Sequence, residues 1–139
     1  MRRRFTALVL FFELMLVGVV LATPANAQVP PIVEVSPEAT LVADGAAVDI
    51  VVAGTCEAGQ TLFVGLTVTQ AVKKSFAQGN GSSSIPCTGE PESVTVRAIA
   101  RADLAPFRTG SALVSGNVTV CDPFCRFVSL SGQEVRIRK

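Results

Sequence analysis

The sequence predicts an all-β protein: a single antiparallel β-sandwich of about seven strands that follows a cleaved signal peptide. After residue 28, apolar and polar residues alternate in short runs rich in Val, Ile and Thr, which is the two-residue period of a half-buried strand. Gly, Pro, Asn and Asp separate these runs. About 110 residues remain there, enough for one hydrophobic core and too few for two domains. A small closed barrel is the alternative architecture.

The first 27 residues have the pattern of a secretory signal peptide. Three arginines, Arg2 to Arg4, precede an apolar run from Phe5 to Ala22, and Ala25-Asn26-Ala27 supplies the small residues that signal peptidase requires. We expect cleavage between Ala27 and Gln28, so that 28–139 is the mature domain. An uncleaved anchor is the alternative, and the arginines leave the twin-arginine route open beside the favoured general secretory route. The expected location is extracytoplasmic, secreted or at the cell surface, with no membrane span after cleavage.

Each expected strand has one apolar face. The clearest is the third, in which four residues from Leu62 to Val68 alternate with Phe63, Gly65, Thr67 and Thr69. The expected inward residues of the third and the other strands are Val48, Ile50, Val52, Leu62, Val64, Leu66, Val68, Val94, Val96, Ala98, Ala100, Ala112, Val114, Val118, Val120, Val128, Leu130, Val135 and Ile137.

Turn and loop signals divide the strands. The first strand, 32–35, is expected to stop near Ser36-Pro37, and Asp44-Gly45 predicts a turn before the second. Residues 78–84 are so rich in Gly and Ser that they predict a loop. The inward phase slips at Gly132, after Leu130, which predicts a β-bulge.

The four cysteines predict two disulfides, because an exported chain with an even number of cysteines favours bridges. Cys121 and Cys125 flank only three residues and should clamp a hairpin. Cys56 and Cys87 lie near strand ends and should bridge across the connections. The longer bridge should contribute about 3–4 kcal/mol to stability and the shorter about 2 kcal/mol. A four-cysteine zinc site is disfavoured, since it normally needs closer cysteine pairs.

The composition excludes several kinds of chemistry. The chain contains no His, which removes the commonest general base and metal ligand. Its formal charge of +1 falls to about −1 without the signal peptide, so no basic patch for nucleic acid is expected. The acidic residues fall mostly at turns or outward strand positions, and no Gly-x-Ser-x-Gly motif occurs. We therefore predict no catalytic residue, no metal, no cofactor and no enzymatic activity.

Two phenylalanines are candidate binding residues because they fall in loops. Phe124 lies at the tip of the expected clamped hairpin, where a rigid aromatic side chain loses little entropy on contact, and Phe107 lies in a second loop. The alternative is that Phe124 folds back over the end of the sandwich. Asn80-Gly81-Ser82 and Asn117-Val118-Thr119 also match glycosylation sequons.

The chain resembles the small secreted immunoglobulin-like domains of actinobacteria. The residues that carry the resemblance are 33–37, Asp44-Gly45, Gly54-Thr55-Cys56 and 120–125. More distantly it is similar to the neocarzinostatin-type apoproteins, which also have a short-range cysteine pair before a late strand. The first resemblance implies an immunoglobulin-like sandwich, and the second implies a cleft that holds a chromophore, although no aromatic-rich lining motif of that family is matched.

Two functions remain open from the sequence. The leading hypothesis is a non-catalytic secreted or cell-envelope module that binds a protein or a glycan through end loops or a sheet face. The alternative is a carrier of a small apolar ligand in a cleft. An aromatic-lined pocket of a few hundred Å3 would favour the carrier, whereas a solid core with flat sheets would favour the binding module.

Overall fold

A computed structural model describes residues 32–139, which form seven strands. The strands are β1 (Val33–Val42), β2 (Ala47–Gly54), β3 (Thr61–Val72), β4 (Ser75–Pro86), β5 (Glu92–Ala100), β6 (Gly110–Asp122) and β7 (Phe124–Arg138). A 3-10 turn, Ala43–Gly45, joins the first two. Within this part of the chain, no helix has the length and apolar character to span a bilayer. The expected signal peptide and its cleavage at Ala27–Gln28 lie outside the described residues.

The strands close into a barrel in the order β1-β2-β5-β4-β3-β6-β7. The predicted immunoglobulin-like antiparallel sandwich is therefore wrong, and the chain adopts the alternative barrel. Two short ladders make the closure. In one, Glu38–Thr40 of β1 pair in parallel with Arg136–Arg138 of β7. In the other, Gly79 and Asn80 pair with Ala100 and Ile99. In a sandwich, β1, β7, β4 and β5 would be edge strands. Here the two ladders pair β1 with β7 and β4 with β5, so these edges are closed.

The longer ladders divide the barrel into two walls. The three-stranded wall contains β1, β2 and β5, and the four-stranded wall contains β4, β3, β6 and β7. The barrel also has two ends. The disulfide end carries the connections 55–60 and 87–91 and the turn at Pro123, whereas the basic end carries the connections 43–46, 73–74 and 101–109 and the end of β7.

The core fills the barrel with the residues that the alternation predicts. All the expected inward residues are buried except Ala100 and Val128, which are partly buried and pack against the core. Phe107 is the largest fully buried side chain and closes the core from the 101–109 connection. The predicted bulge is confirmed: Ser131 and Gly132 of β7 lie opposite Ser115 alone, where the register with β6 shifts.

The Gly- and Ser-rich segment 78–84 is a strand and not a loop, so that prediction is wrong. It forms the middle of β4 and pairs with β3 along its whole length. Gly79 and Gly81 explain the composition. A Cβ atom on Gly79 would lie 2.5 Å from the carbonyl oxygen of Ile99, and one on Gly81 would overlap the carbonyl oxygen of Arg97. Glycine here allows the backbones of β4 and β5 to approach where the barrel closes.

The first strand also continues past its expected stop. β1 runs through Ser36 and Pro37 to Val42, and its register with β2 shifts between Val35 and Ala39. Within the shift, the backbone amide of Glu38 donates to the hydroxyl oxygen of Ser36. The irregularity accommodates Pro37, which lacks an amide proton, and lets β1 pair with β2 on one side and β7 on the other.

Two disulfides lie at the same end of the barrel. Cys56–Cys87 joins the β2–β3 connection to the β4–β5 connection, with Cα atoms 5.6 Å apart. Cys121–Cys125 links facing residues of the β6–β7 hairpin, with Cα atoms 4.0 Å apart. The pairing is the one that the cysteine spacing predicts, and the first bridge ties the two walls together.

Candidate functional site

The outer surface of the four-stranded wall carries no charge over most of its length. We call this surface the uncharged face. The strand registers and side-chain alternation place there Thr61, Phe63, Gly65, Thr67, Asn80, Ser82, Ser84, Pro86, Ser115, Asn117, Thr119, Cys121, Cys125, Phe127 and Ser129. Every polar group among them is a neutral hydroxyl or amide, which can donate as well as accept hydrogen bonds.

A shallow depression of about 400 Å3 lies in the uncharged face. It is lined by Phe63, Gly65, Ser82, Ser84 and Asn117. Gly65 creates the depression because it has no side chain. The residues paired with it on the neighbouring strands, Ser82 of β4 and Asn117 of β6, are also small. A Cβ atom on Gly65 would meet only the side-chain oxygen of Asn117, at 3.5 Å. The backbone therefore does not require glycine at this position, unlike Gly79 and Gly81.

Two exposed aromatic rings border this region. Phe63 is 46% exposed and Phe127 is 71% exposed. Thr119 pairs with both, so the two phenylalanines share one row and lie two strands apart, about 10 Å. The side-chain amide of Asn117 donates to the hydroxyl of Thr119 at 3.4 Å. This arrangement gives apolar ring surfaces beside neutral hydrogen-bonding groups.

The structure separates the two phenylalanines that sequence reasoning singled out. Phe107 is 0% exposed and belongs to the core, so its side chain presents no surface to a ligand. Phe124 is 83% exposed at the tip of the β6–β7 hairpin and does not fold back over the barrel end. Phe124 and Phe127 lie an odd number of residues apart on one strand, so they point to opposite faces.

Sequence reasoning missed Phe63, Gly65 and Phe127 as site residues. The alternation that places Leu62 and Val64 inward also places Phe63 outward, so the signal for its exposure was present. What the sequence could not give was the lateral pairing that brings Phe63, Asn117 and Phe127 onto one face. Both sequon asparagines, Asn80 and Asn117, also lie on the uncharged face.

A larger groove, about 630 Å3, lies at the basic end. Its wall is held by Gln70, which is 3% exposed. The Gln70 side-chain nitrogen donates to the carbonyl oxygens of Arg108 at 2.8 Å and Ser111 at 3.4 Å, and its oxygen accepts from the Arg108 amide at 2.8 Å. Gln70 thus fixes the loop to the barrel. The lining is Gln70, Ala71, Val72, Lys73, Ala105, Pro106, Arg108, Thr109, Gly110 and Ser111, none of them aromatic.

The two carboxyl groups with a shifted pKa, those of Asp49 and Asp103, belong to surface ion pairs. Two hydrogen bonds of 2.7 Å from Arg97 lower the pKa of the Asp49 carboxyl below its usual 3.8, while partial burial opposes this shift and charge attraction adds to it. Hydrogen bonds from Arg101 lower the pKa of Asp103 in the same direction. Both pairs stabilise charged forms at the surface, which is the behaviour of structural ion pairs.

Comparisons with known proteins do not place the chain in a family. No family model matches the chain, and no curated protein matches it. Among solved structures, macromomycin is similar at 17% sequence identity and a TM-score of 0.33, covering 73% of this chain and 98% of that chain. This is a distant likeness to a neocarzinostatin-family apoprotein, and at this TM-score it carries no argument about function. No comparison supports the resemblance to the actinobacterial immunoglobulin-like domains.

Proposed function

We propose that this protein is an extracytoplasmic, non-catalytic module that binds a neutral glycan on the uncharged face. The observation that carries the proposal is the depression at Gly65, bordered by Phe63 and surrounded by neutral hydroxyl and amide groups. An aromatic ring packs against the apolar C–H face of a sugar ring, and the sugar hydroxyls then exchange hydrogen bonds with the rim. A charged ligand would find no opposite charge there.

The extracytoplasmic location is supported by the two disulfides, which form and persist in oxidising compartments. The pattern of residues 1–27 supports export of the chain through a signal peptide. A secreted or surface-exposed module meets polysaccharides directly, so the location and the proposed ligand agree.

A carrier of a small apolar ligand is less well supported. Such a carrier needs a concave site that encloses most of the ligand, with apolar and aromatic lining. In the part of the chain that the structure describes, the inward side chains of the strands pack into one core that Phe107 closes, and the large groove at the basic end has no aromatic lining. A packed core and an open outer face favour the binding module over the carrier.

Affinity electrophoresis tests the proposal with defined probes. The exported protein is run through native gels that contain mannan, dextran, galactomannan or a soluble β-glucan, and through one that contains anionic polygalacturonate. We expect at least one neutral polysaccharide to retard the protein and polygalacturonate to leave its mobility unchanged. Retardation by none of the neutral polysaccharides would contradict the proposal.

Two substitutions locate the site. Gly65→Val fills the depression without a backbone clash, and Phe63→Ala removes the ring beside it. Each should weaken binding to the retarding polysaccharide about tenfold or more, as loss of a central contact does. Phe76→Ala is the matched control, because Phe76 is exposed on the outer side of β4 at the opposite end of the wall. Equal retardation of all three variants would show that binding occurs elsewhere.

A further inference from the structure

The two ends of the barrel carry opposite charge, and we infer from this that copies of the protein associate end to end. In this assembly the disulfide end of one copy docks into the groove at the basic end of the next. The inference rests on the charge distribution and the shapes of the two ends. It does not depend on glycan binding by the uncharged face.

The disulfide end is acidic. Within residues 32–139 it holds five carboxylates and one basic residue, Arg126, for a formal charge of −4. The five carboxylates are Glu34, Glu57, Glu90, Glu92 and Asp122. The strand order produces this concentration, because the acidic residues are spread along the sequence from β1 to β6 and meet only where β2, β4 and β6 end.

The opposite end is basic. It holds seven basic residues and four carboxylates, for a formal charge of +3. The basic residues are Lys73, Lys74, Arg101, Arg108, Arg136, Arg138 and Lys139, and the carboxylates are Glu38, Asp44, Asp103 and Glu134. Arg101 pairs with Asp103 and Arg138 pairs with Glu38. No carboxylate of the described residues lies within ion-pair distance of Lys73 or Arg108, which line the groove.

The two ends also differ in shape, since one projects a side chain and the other contains a groove. The disulfide end presents Phe124, an exposed ring at the tip of a hairpin that Cys121–Cys125 clamps, with Asp122 directly opposite it in the hairpin. The basic end presents the 630 Å3 groove, whose apolar lining includes Ala71, Val72 and Pro106. A phenyl ring seated in this groove would bring Asp122 toward Arg108 and Lys73.

The partner that fits the groove is a second copy of this chain. Its acidic end is a surface on the molecule itself that complements the basic groove in charge and offers an apolar group to fill it. Such a contact uses two different patches, so it is heterologous and propagates into rings or open chains. Charge complementarity across the contact should speed association and make it sensitive to salt.

Sedimentation velocity of the exported protein over a range of concentrations is the first test. We expect the weight-average sedimentation coefficient to rise with protein concentration. Raising NaCl from about 50 mM to about 500 mM should weaken self-association about tenfold or more. Phe124→Ala should weaken it to a similar extent. A protein that stays monomeric at its highest soluble concentration in low salt would overturn the inference.

A charge-swap experiment is the second test. Lys73→Glu/Arg108→Glu reverses the groove, and Glu57→Lys/Glu90→Lys/Asp122→Lys reverses the acidic end. Each variant alone should be monomeric, because both of its ends then carry a charge of the same sign. Mixed together at equal concentration they should associate again, since each junction regains complementary ends. Failure of the mixture to associate, with both variants folded by circular dichroism, would overturn the docking geometry.

Two controls separate this inference from other causes. Thr95→Lys adds a positive charge to an exposed position in the middle of the three-stranded wall, and it should leave self-association unchanged. Phe63→Ala should also leave it unchanged, although that variant should bind the glycan more weakly. Retention on dextran sulfate without self-association would assign the basic end to a polyanion and contradict the inference.

Discussion

Both walls bury large side chains, but the three-stranded wall carries an ion pair on its outer face, whereas in the four-stranded wall two strand backbones come into close contact. Val48, Ile50 and Val52 of β2 are fully buried, and on the outside of the same strand Asp49 pairs with Arg97 of β5. In the four-stranded wall, a Cβ atom on Gly116 of β6 would overlap the carbonyl oxygen of Gly65 on β3. The two walls therefore depend on different residues for stability.

The difference shows how the four-stranded wall is stabilised although its uncharged face carries mostly small side chains. Large side chains at the positions paired with Gly65, which are Ser82 and Asn117, would cover the depression. Small residues leave the depression open. The close approach of the β3 and β6 backbones and the Cys121–Cys125 bridge then supply part of the stability of this wall. The substitutions below test whether the two walls respond as this comparison predicts.

The largest effect is expected for Gly116→Ala. Its methyl group would be forced into the carbonyl oxygen of Gly65, so that β3 and β6 must separate where they pair. We expect a loss on the order of 4 kcal/mol in the free energy of unfolding, measured by urea denaturation. Gly65→Ala on the facing strand is the matched control and should be neutral or stabilising, because its methyl group would make only an ordinary van der Waals contact with the Asn117 side chain. Equal losses for both would show that close approach at Gly116 is not special.

The next effect concerns the bridge between the walls. Replacing Cys56 and Cys87 together by Ala removes a crosslink that closes 31 residues of chain. Loop entropy predicts a loss of about 3–4 kcal/mol, and both cysteines are also buried. Urea denaturation of the double variant beside the wild type measures the loss. A loss below that for the second bridge would contradict the loop-length argument.

A smaller effect is expected for the bridge within the four-stranded wall. Cys121 and Cys125 are separated by only 4 positions in the sequence, so their bridge closes a short loop. Replacing both by Ala should therefore lower the free energy of unfolding by only about 2 kcal/mol. Val118 and Val120 remain in the core, so the barrel should persist. Hydrogen exchange should increase at the hairpin tip and stay unchanged in β2. Faster exchange throughout the barrel would show that this bridge supports the whole fold.

The smallest effect concerns the ion pair on the three-stranded wall. Because hydrogen bonds from Arg97 hold the pKa of Asp49 below its unfolded value of 3.8, the pair contributes fully above that pH. The contribution is lost as the pH falls below 3.8 through the folded-state pKa. Asp49→Asn should therefore reduce the loss of stability between neutral pH and about pH 2, measured by thermal unfolding. If the variant and the wild type lose the same stability on acidification, the ion pair contributes nothing to the stability of this wall.

The sequence predicts local features of this fold well. Strict alternation from Leu62 to Val68 identifies both faces of β3, and the phase slip at Gly132 identifies the bulge. The prediction of a loop at 78–84 fails because glycine has two opposite uses. In a loop it supplies conformational freedom, whereas Gly79 and Gly81 provide room for a neighbouring strand that lies far away in the sequence.

The closed barrel and the candidate site could not be predicted for a related reason. Both depend on which strands lie side by side, and alternation within one strand contains no information about its neighbours. Glu38 pairs with Arg136 across nearly the whole domain, and Phe63 shares its row with Phe127 only because β3, β6 and β7 are adjacent. The cysteine pairing was predictable because short spacing and strand-end positions restrict it.

The parallel pairing of β1 with β7 has a consequence for the order of events in folding. The first and last described strands must meet before the barrel can close, and the residues of β7 that take part are Arg136–Arg138. No folding intermediate that lacks the last strand can therefore be the closed barrel. Contacts between such distant segments are slow to form, because a loop that contains most of the described domain must close first. The closed barrel should thus appear only after β7 has been made, and removal of residues 136–139 should trap the domain in an open form.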